Sequence, residues 1–298
     1  MTFTRPVLTP AAERAARRRA AAPLVSLTTD FGARDPSAAI CRGVVLSIAP
    51  HVRLLDVSHE VAKFAVLDGA LLLWCALPYL PVGVHVAVVD PGVGTARLPI
   101  GMRVARGDLL VGPDNGLLLP AAERLGGVVA VHALEAADYR LPEVSASFHG
   151  RDIFAPAGAH LALGVPLERF GRALDPAGLV RVDLPAPESL PGALVSAGIY
   201  VDTFGNVKLA GERSDLEASL GPLAPGDPLA LEIGGSAGST RTLELRWQET
   251  FGAAPAGTPL LYEDSYGRLC VAVNRGDAAS QLGLRAADRL TIRRASGS

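Results

Sequence analysis

An amino-terminal α/β layered domain with a mostly parallel sheet, followed by a carboxy-terminal all-β barrel-like domain, is the fold class the sequence predicts. Three observations carry it. Short β-branched runs alternate with apolar stretches of helix length over residues 24–170, the pattern of layered α/β architecture. Residues 183–192 read DLPAPESLPG, and their three prolines mark a linker. Beyond them helical periodicity fades, and short β-like runs recur between glycine turns, as in a small barrel or sandwich. The expected boundaries are an extension at 1–22, an α/β domain at 23–184, a linker at 185–192 and a barrel domain at 193–298.

Composition narrows the function classes. The 298 residues are 49% hydrophobic and 19% charged, ample apolar material for a core. A net charge of -2 gives no reason to expect a nucleic-acid partner. No run approaches the roughly 18 apolar residues of a membrane span, and the stretch 70–80 is broken by Pro78. Cys41, Cys75 and Cys270 are isolated, without C-x-x-C spacing, and read as buried free thiols of a reducing cytoplasm.

The elements follow in order. Residues 1–22, rich in Ala and Arg, lack the long apolar core of a secretory signal and are expected to be a disordered extension. Leu24–Thr29 is an apolar strand that stops at Asp30. Asp30-Phe31-Gly32 matches the metal-binding triplet of kinases by letters alone, since no H-R-D or lysine strand accompanies it. A helix is expected over 37–49, a strand over 52–57 and a helix over 65–77. His59, after the second strand, is either a polar end-cap or a ligand.

The central stretch, 84–97, reads VHVAVVDPGVGTAR. Val84, Val86, Val88 and Val89 suit a strand buried on both faces. The strand ends at Asp90, and Pro91-Gly92-Val93-Gly94 forces a turn, because proline fixes φ and glycine tolerates positive φ. Open α/β sheets place ligands at the carboxyl ends of such strands. Arg97 is close enough for the turn to fold it back onto Asp90, which makes the two a first candidate pair for chemistry.

Strands at 108–111 and 128–131 come next. The Gly112–Gly116 stretch between them, GPDNG, is either a plain turn or a source of amide donors. His149 precedes a glycine and a helix expected over 153–163, so its imidazole is a candidate for the same cleft. In the second half, β-like runs lie at 192–201, 207–209, 229–233, 242–247, 258–262 and 269–273. Asp202-Thr203-Phe204-Gly205-Asn206 suits either gripping a planar base or amine, or a plain turn.

Taken together, LTTDFG, VVDPGVGTAR, GPDNGLL, FHGRDIFAP, DTFGN and DSYG, in this order, resemble the adenosyl-forming S-adenosylmethionine hydrolases. These are also called S-adenosylmethionine hydroxide adenosyltransferases and are related to the fluorinase and chlorinase enzymes. The resemblance covers residues 23–295 and implies an α/β domain, a β-barrel domain and a homotrimer with active sites between neighbouring subunits. It implies a water-handling triad of Asp90, Arg97 and His149. By the same resemblance Asp30 holds the ribose diol, and Phe204 and Asn206 contact adenine. Asp35, Asp202 and Ser265 lie near the methionine end, and Phe64, Phe148 and Asn274 complete the substrate-binding set.

The activity so implied is hydrolysis of S-adenosyl-L-methionine, a small-molecule substrate, to adenosine and L-methionine by in-line attack of water at C5′. No cofactor and no metal are expected. Arg97 is expected to keep Asp90 ionised, and either Asp90 or His149 could accept the water proton. Two alternatives stand beside this reading: a halogenase acting on the same substrate, and a non-catalytic sensor of adenosine or S-adenosylmethionine. The halogenases resemble the chain but carry a tyrosine where Asp90 stands and lack the arginine and histidine. Fluorinase has a halide-contacting serine at Gly150, where chlorinase also has glycine, so that position is less decisive; it has an arginine at Tyr266, so how the methionine carboxylate is held is left open.

Overall fold

The computed structural model describes residues 22–234 and 240–295, so all but Ala22 of the expected amino-terminal extension lies outside the described residues. The chain divides between Val182 and Asp183 into two compact units.

The first unit is built on six strands: β1 (Leu24–Thr29), β2 (Arg53–Ser58), β3 (Val84–Val88), β4 (Pro99–Val104), β5 (Leu109–Pro113) and β6 (Val128–Ala133). Their order is β2-β1-β3-β5-β4-β6. The pairs β2–β1, β1–β3 and β3–β5 are parallel, and β4 runs antiparallel to both β5 and β6. The sheet is thus mostly parallel, as expected, with an antiparallel edge.

Helices cover both faces, which is why β3 reads as a continuous apolar run. Val84, Val86 and Val88 pack with Cys41, Val45, Ala155 and Ala159, from the helices Ser37–Ile48 and Ala155–Ala162. Ala87 and Val89 turn to the other face, against Ala70, Leu73 and Leu117 beside the helix Val66–Ala76.

The order in which strands are added reverses at β1. The crossover through Ser37–Ile48 leads to β2 on one side, and the crossover through Val66–Ala76 leads to β3 on the other. The crevice of such a sheet opens at this switch point, between the carboxyl ends of β1 and β3. Those ends carry Asp30 and Asp90.

Strand β4 was not expected. Pro99 opens it, and Gly101 and Arg103 interrupt its β-branched character, so only the alternation of buried Ile100, Met102 and Val104 marks it in the sequence. Cys41 and Cys270 are buried, and burial pushes both thiols up to about 12. Cys75 is only half-buried, a correction to the expectation of three buried thiols, because it lies on a partly exposed face of its helix.

The second unit contains β7 (Glu188–Leu190), β8 (Ala193–Val201), β9 (Val207–Leu209), β10 (Pro228–Gly234), β11 (Thr240–Trp247), β12 (Pro259–Glu263), β13 (Leu269–Val273) and β14 (Arg289–Arg294). The order β14-β10-β11-β12-β13-β9-β8 closes through pairing of β14 with β8, giving a seven-stranded barrel with β7 outside the ring. Its interior is filled by Leu194, Val207, Leu231, Trp247, Leu261, Val271, Leu290 and Ile292. The barrel expectation holds. The closing strand β14 and the short helices Arg213–Leu220 and Ala278–Leu282 were not read from the sequence.

Candidate active site

The site in the first unit is assembled from strand ends. Arg97 comes just before β4, whose antiparallel direction sets its first residues at the carboxyl edge of the parallel strands, Pro99 pairing with Pro113 at the end of β5. Asn115 donates from Nδ2 to the Val89 carbonyl (2.9 Å) and so ties the GPDNG turn to the end of the strand carrying Asp90. Gly94, with φ at +77°, is required for a second close approach. A Cβ there would collide with the Ala146 carbonyl, on the segment that leads to His149.

These constraints bring the three triad candidates together. Arg97 donates from Nε to Asp90 Oδ1 (3.1 Å) and from Nη2 to Asp90 Oδ2 (2.5 Å), a side-on fork. The same Nη2 lies 3.0 Å from His149 Nδ1. The Asp90 and Arg97 side chains are only 5% and 6% exposed, so the pair is largely withdrawn from water. Behind it, the guanidinium lies over the Phe154 ring at 5.3 Å.

Burial is the largest influence on Asp90 and raises its pKa above the ordinary carboxylate value, against the opposing pull of Arg97 and His149. Arg97 therefore favours the ionised form, as expected, without outweighing desolvation. For His149 both burial and the Arg97 charge act downward, below 6.5. Arginine has no acceptor, so His149 Nδ1 must accept and the neutral ring carries its proton on Nε2.

Asp90 and His149 open onto a cavity of about 340 Å³ shared with Asp30, Phe31, Lys63, Phe64 and Phe148. Asp30 is 7% exposed. Its Oδ2 accepts from the Phe64 N–H (3.0 Å), and its backbone carbonyl accepts from Lys63 Nζ. Phe64 holds φ at +64°, an unfavourable conformation for a bulky residue, and is 70% exposed at the lip. Phe148 meets Phe31 edge-on at 5.7 Å between centroids. Lys63 and Ser147 line the cavity without having been singled out from the sequence, where nothing but adjacence to Phe64 and Phe148 marks them.

Asp35 does not line this cavity; its Oδ1 accepts from the Ser37 N–H (2.8 Å) and hydroxyl. His59 is a polar strut, its Nδ1 2.9 Å from the Thr29 hydroxyl and its Nε2 3.1 Å from Asp56. Ser26, His85 and Asp108 form a hydroxyl–imidazole–carboxylate chain (2.7 and 3.0 Å) that looks like a hydrolytic triad. All three are at most 1% exposed, and Arg106 closes the network from behind. This cluster is structural.

In the second unit, Phe204 and Asn206 line a separate pocket of about 520 Å³ with Phe251, Arg275 and Asp277. Asp202 lies beneath it as the organiser of its own loop, accepting from the N–H groups of Phe204 (2.9 Å) and Asn206 (3.0 Å) and from Asn206 Nδ2 (2.9 Å). Lys208 bonds Asp264 at 2.8 Å and lies 3.6 Å from Asp202, linking the two loops DTFGN and DSYG. Ser265 is exposed on the second loop. Asn274 does not line the pocket; its amide donates to the Ala254 carbonyl (2.6 Å). Phe251 and Arg275 were missed because neither sits in a motif recognisable by spacing.

Among the described residues no group of three or more His, Cys, Asp or Glu could hold a metal ion, and no helix is long and apolar enough to cross a membrane.

An open α/β sheet with a desolvated acid–arginine–histidine cluster at its switch point, coupled in one chain to a closed β-barrel, defines a two-domain α/β-plus-barrel class of protein. The family model for the SAM hydroxide adenosyltransferase N-terminal domain matches residues 25–171, and that for the C-terminal domain matches 198–291. A (R)-S-adenosyl-L-methionine hydrolase of Salinispora tropica is 46% identical over 91% of this chain and 97% of its own length. A fluorinase of an Actinoplanes species is 30% identical over 92% and 98%. A solved structure, an uncharacterized conserved protein from Thermotoga maritima, superimposes with a TM-score of 0.83 at 32% identity, covering 91% of this chain and all of that one. The chain belongs to the SAM hydroxide adenosyltransferase family.

Proposed function

We propose that the protein hydrolyses S-adenosyl-L-methionine to adenosine and L-methionine, with Asp90, Arg97 and His149 handling the attacking water. The observation that carries the mechanism is the Arg97 fork, which fixes both the carboxylate and the histidine tautomer. Water attacks C5′ in line as the C5′–S bond breaks. The bonding pair goes to sulfur, and a cationic sulfonium becomes a neutral thioether, so the leaving group needs no acid.

Water is a poor nucleophile, and holding it about 3 Å from the reacting carbon supplies much of the acceleration. His149 donates from Nε2–H to the water oxygen. Asp90, made more basic than an ordinary carboxylate by burial, accepts the proton. Arg97 locks both groups and does not itself move a proton. Asp30 accepts from the ribose hydroxyls, and Phe64 and Phe148 form apolar walls beside it. Phe204 and Asn206 take the adenine, Asp202 shapes their loop, and Asp35, Ser265 and Asn274 belong to the substrate-binding set by family resemblance. That resemblance also supports a homotrimer, and the isolated cysteines support a cytoplasmic location.

The related fluorinases make halide the competing nucleophile. At Gly150 a Cβ would stand 3.0 Å from Phe31 Cζ, which disfavours the serine of fluorinase, but chlorinase also has glycine there, so this position does not separate that branch. Chromatography of the protein incubated with S-adenosylmethionine, with and without high chloride and with EDTA, tests the reading. Equal amounts of adenosine and methionine, unchanged by EDTA, are expected. A 5′-chloro product would establish the halogenase reading, and binding without turnover the sensor.

A further inference from the structure

The cavity of the first unit carries a cation without a counter-charge. Lys63 lines it together with Asp30, Asp90 and His149 and is exposed. Its Nζ donates to the Asp30 backbone carbonyl, and the N–H of the next residue, Phe64, donates to Asp30 Oδ2 (3.0 Å). The two neighbours thus clamp Asp30 by its backbone and by its carboxylate, with Phe64 at the unfavourable φ of +64°. A Cβ added at Gly32 would stand 3.9 Å from Lys63 Nζ, so the ammonium lies over the Asp30-Phe31-Gly32 turn. An ammonium has three N–H donors, and one is engaged by the carbonyl. Among the described residues Lys63 has no carboxylate at ion-pair distance.

Resting on the functional reading above, we propose that Lys63 receives the carboxylate of S-adenosyl-L-methionine and so selects for a substrate with an intact amino-acid end. The charges are complementary. The cavity lining sets the carboxylates of Asp30 and Asp90 against the single ammonium of Lys63, and the substrate sets a sulfonium and an ammonium against a single carboxylate. An unpaired lysine in a site that admits a sulfonium repels its own ligand unless an anion lies between the two cations. The position fits as well. Hydrogen bonds from Ser37 chiefly hold the Asp35 carboxyl below its ordinary value, and Lys63 adds to them, so the ammonium stands within the field of Asp35 as well as on the Asp30 turn. By family resemblance Asp30 belongs to the ribose and Asp35 to the methionine end, and Lys63 serves the stretch from one to the other.

The test removes one charge from each side of the contact. Decarboxylated S-adenosylmethionine keeps the sulfonium and the ammonium and lacks only the carboxylate, and adenosine release gives kcat/KM for both compounds. The native protein is expected to favour the intact substrate by about tenfold, expressed in KM, because the carboxylate is remote from C5′ and is held alike in ground and transition states. Lys63→Gln keeps a donor for the Asp30 carbonyl. It should lose about five- to tenfold on the intact substrate, stay within about twofold on the decarboxylated one, and so abolish the preference. Lys63→Arg should restore it, since the charge returns. An equal loss on both compounds, or an unchanged preference, would overturn the proposal and leave Lys63 as a tie to the Asp30 turn. Failure of the native protein to release adenosine from either compound would instead sink the functional reading. Calorimetric titration with the same two compounds then reads the preference as binding alone, and binding of neither, or a ratio unchanged in Lys63→Gln, would overturn the proposal there too.

Discussion

Nη2 of Arg97 lies 3.0 Å from Nδ1 of His149 while also bonding Asp90, so one nitrogen sets the protonation pattern of the whole cluster. Because arginine only donates, the histidine is held as the Nε2–H tautomer, and protonation at Nδ1 would break this bond and oppose two cations. Orientation by histidine and proton acceptance by aspartate follow from that single contact.

Replacing either water-handling group separates their roles. Asp90→Asn should lower kcat by about 10²-fold or more, since it removes the proton acceptor. His149→Ala should cost about tenfold to 10²-fold by loosening the water's orientation. Single-turnover kinetics would read both, and full activity in the two variants would refute the assignment.

Arg97→Met would leave the Asp90 carboxylate 5% exposed and unpaired. Breaking such a buried pair typically costs about 3 kcal/mol, so urea denaturation should show that scale of loss. An unchanged midpoint would mean that water reaches Asp90 freely.

The depressed pKa of His149 has a defined sign. The unfolded chain binds this proton more readily than the native one, so the contribution of His149 to stability is present above pH 6.5 and lost as pH falls below it. Comparing the pH dependence of Tm for the native protein with that of His149→Gln should show a shallower fall in the variant. Parallel curves would contradict the shift.

Asp108 gives a contrasting case. It accepts from His85, Arg106 and the Gly83 N–H while fully buried on the structural network. Asp108→Ala should cost about 3 kcal/mol by stranding its partners, with kcat per folded molecule unaltered. A selective loss of kcat would bring this cluster into the mechanism.

At the cavity lip, Phe64 is held in an unfavourable backbone conformation while 70% exposed, so its wall-forming role can be tested at little structural cost. Phe64→Gly should leave Tm unchanged or raised, because glycine accepts positive φ, and should raise KM by up to about tenfold. An unaltered KM would remove Phe64 from the substrate surface.

The sequence by itself determined the β3 strand, its terminal acid and the turn after it, because a β-branched run followed by Pro-Gly-Val-Gly permits little else. It also determined Asp30 at a strand end and the change to β structure after residue 192, since these depend on local pattern and turn chemistry. Only the tertiary structure decided which strand ends are neighbours. β4, whose glycine and arginine hide its period, had to insert beyond β5 before Arg97 could meet Asp90. Side-chain partners were equally invisible to spacing: Ser26, His85 and Asp108 are distant in sequence and meet through sheet register, and Asp202 turns inward to its own loop. The direction of the Asp90 shift was likewise a tertiary result, because desolvation depends on what packs around a carboxylate and sequence distance measures only how near its partner can come.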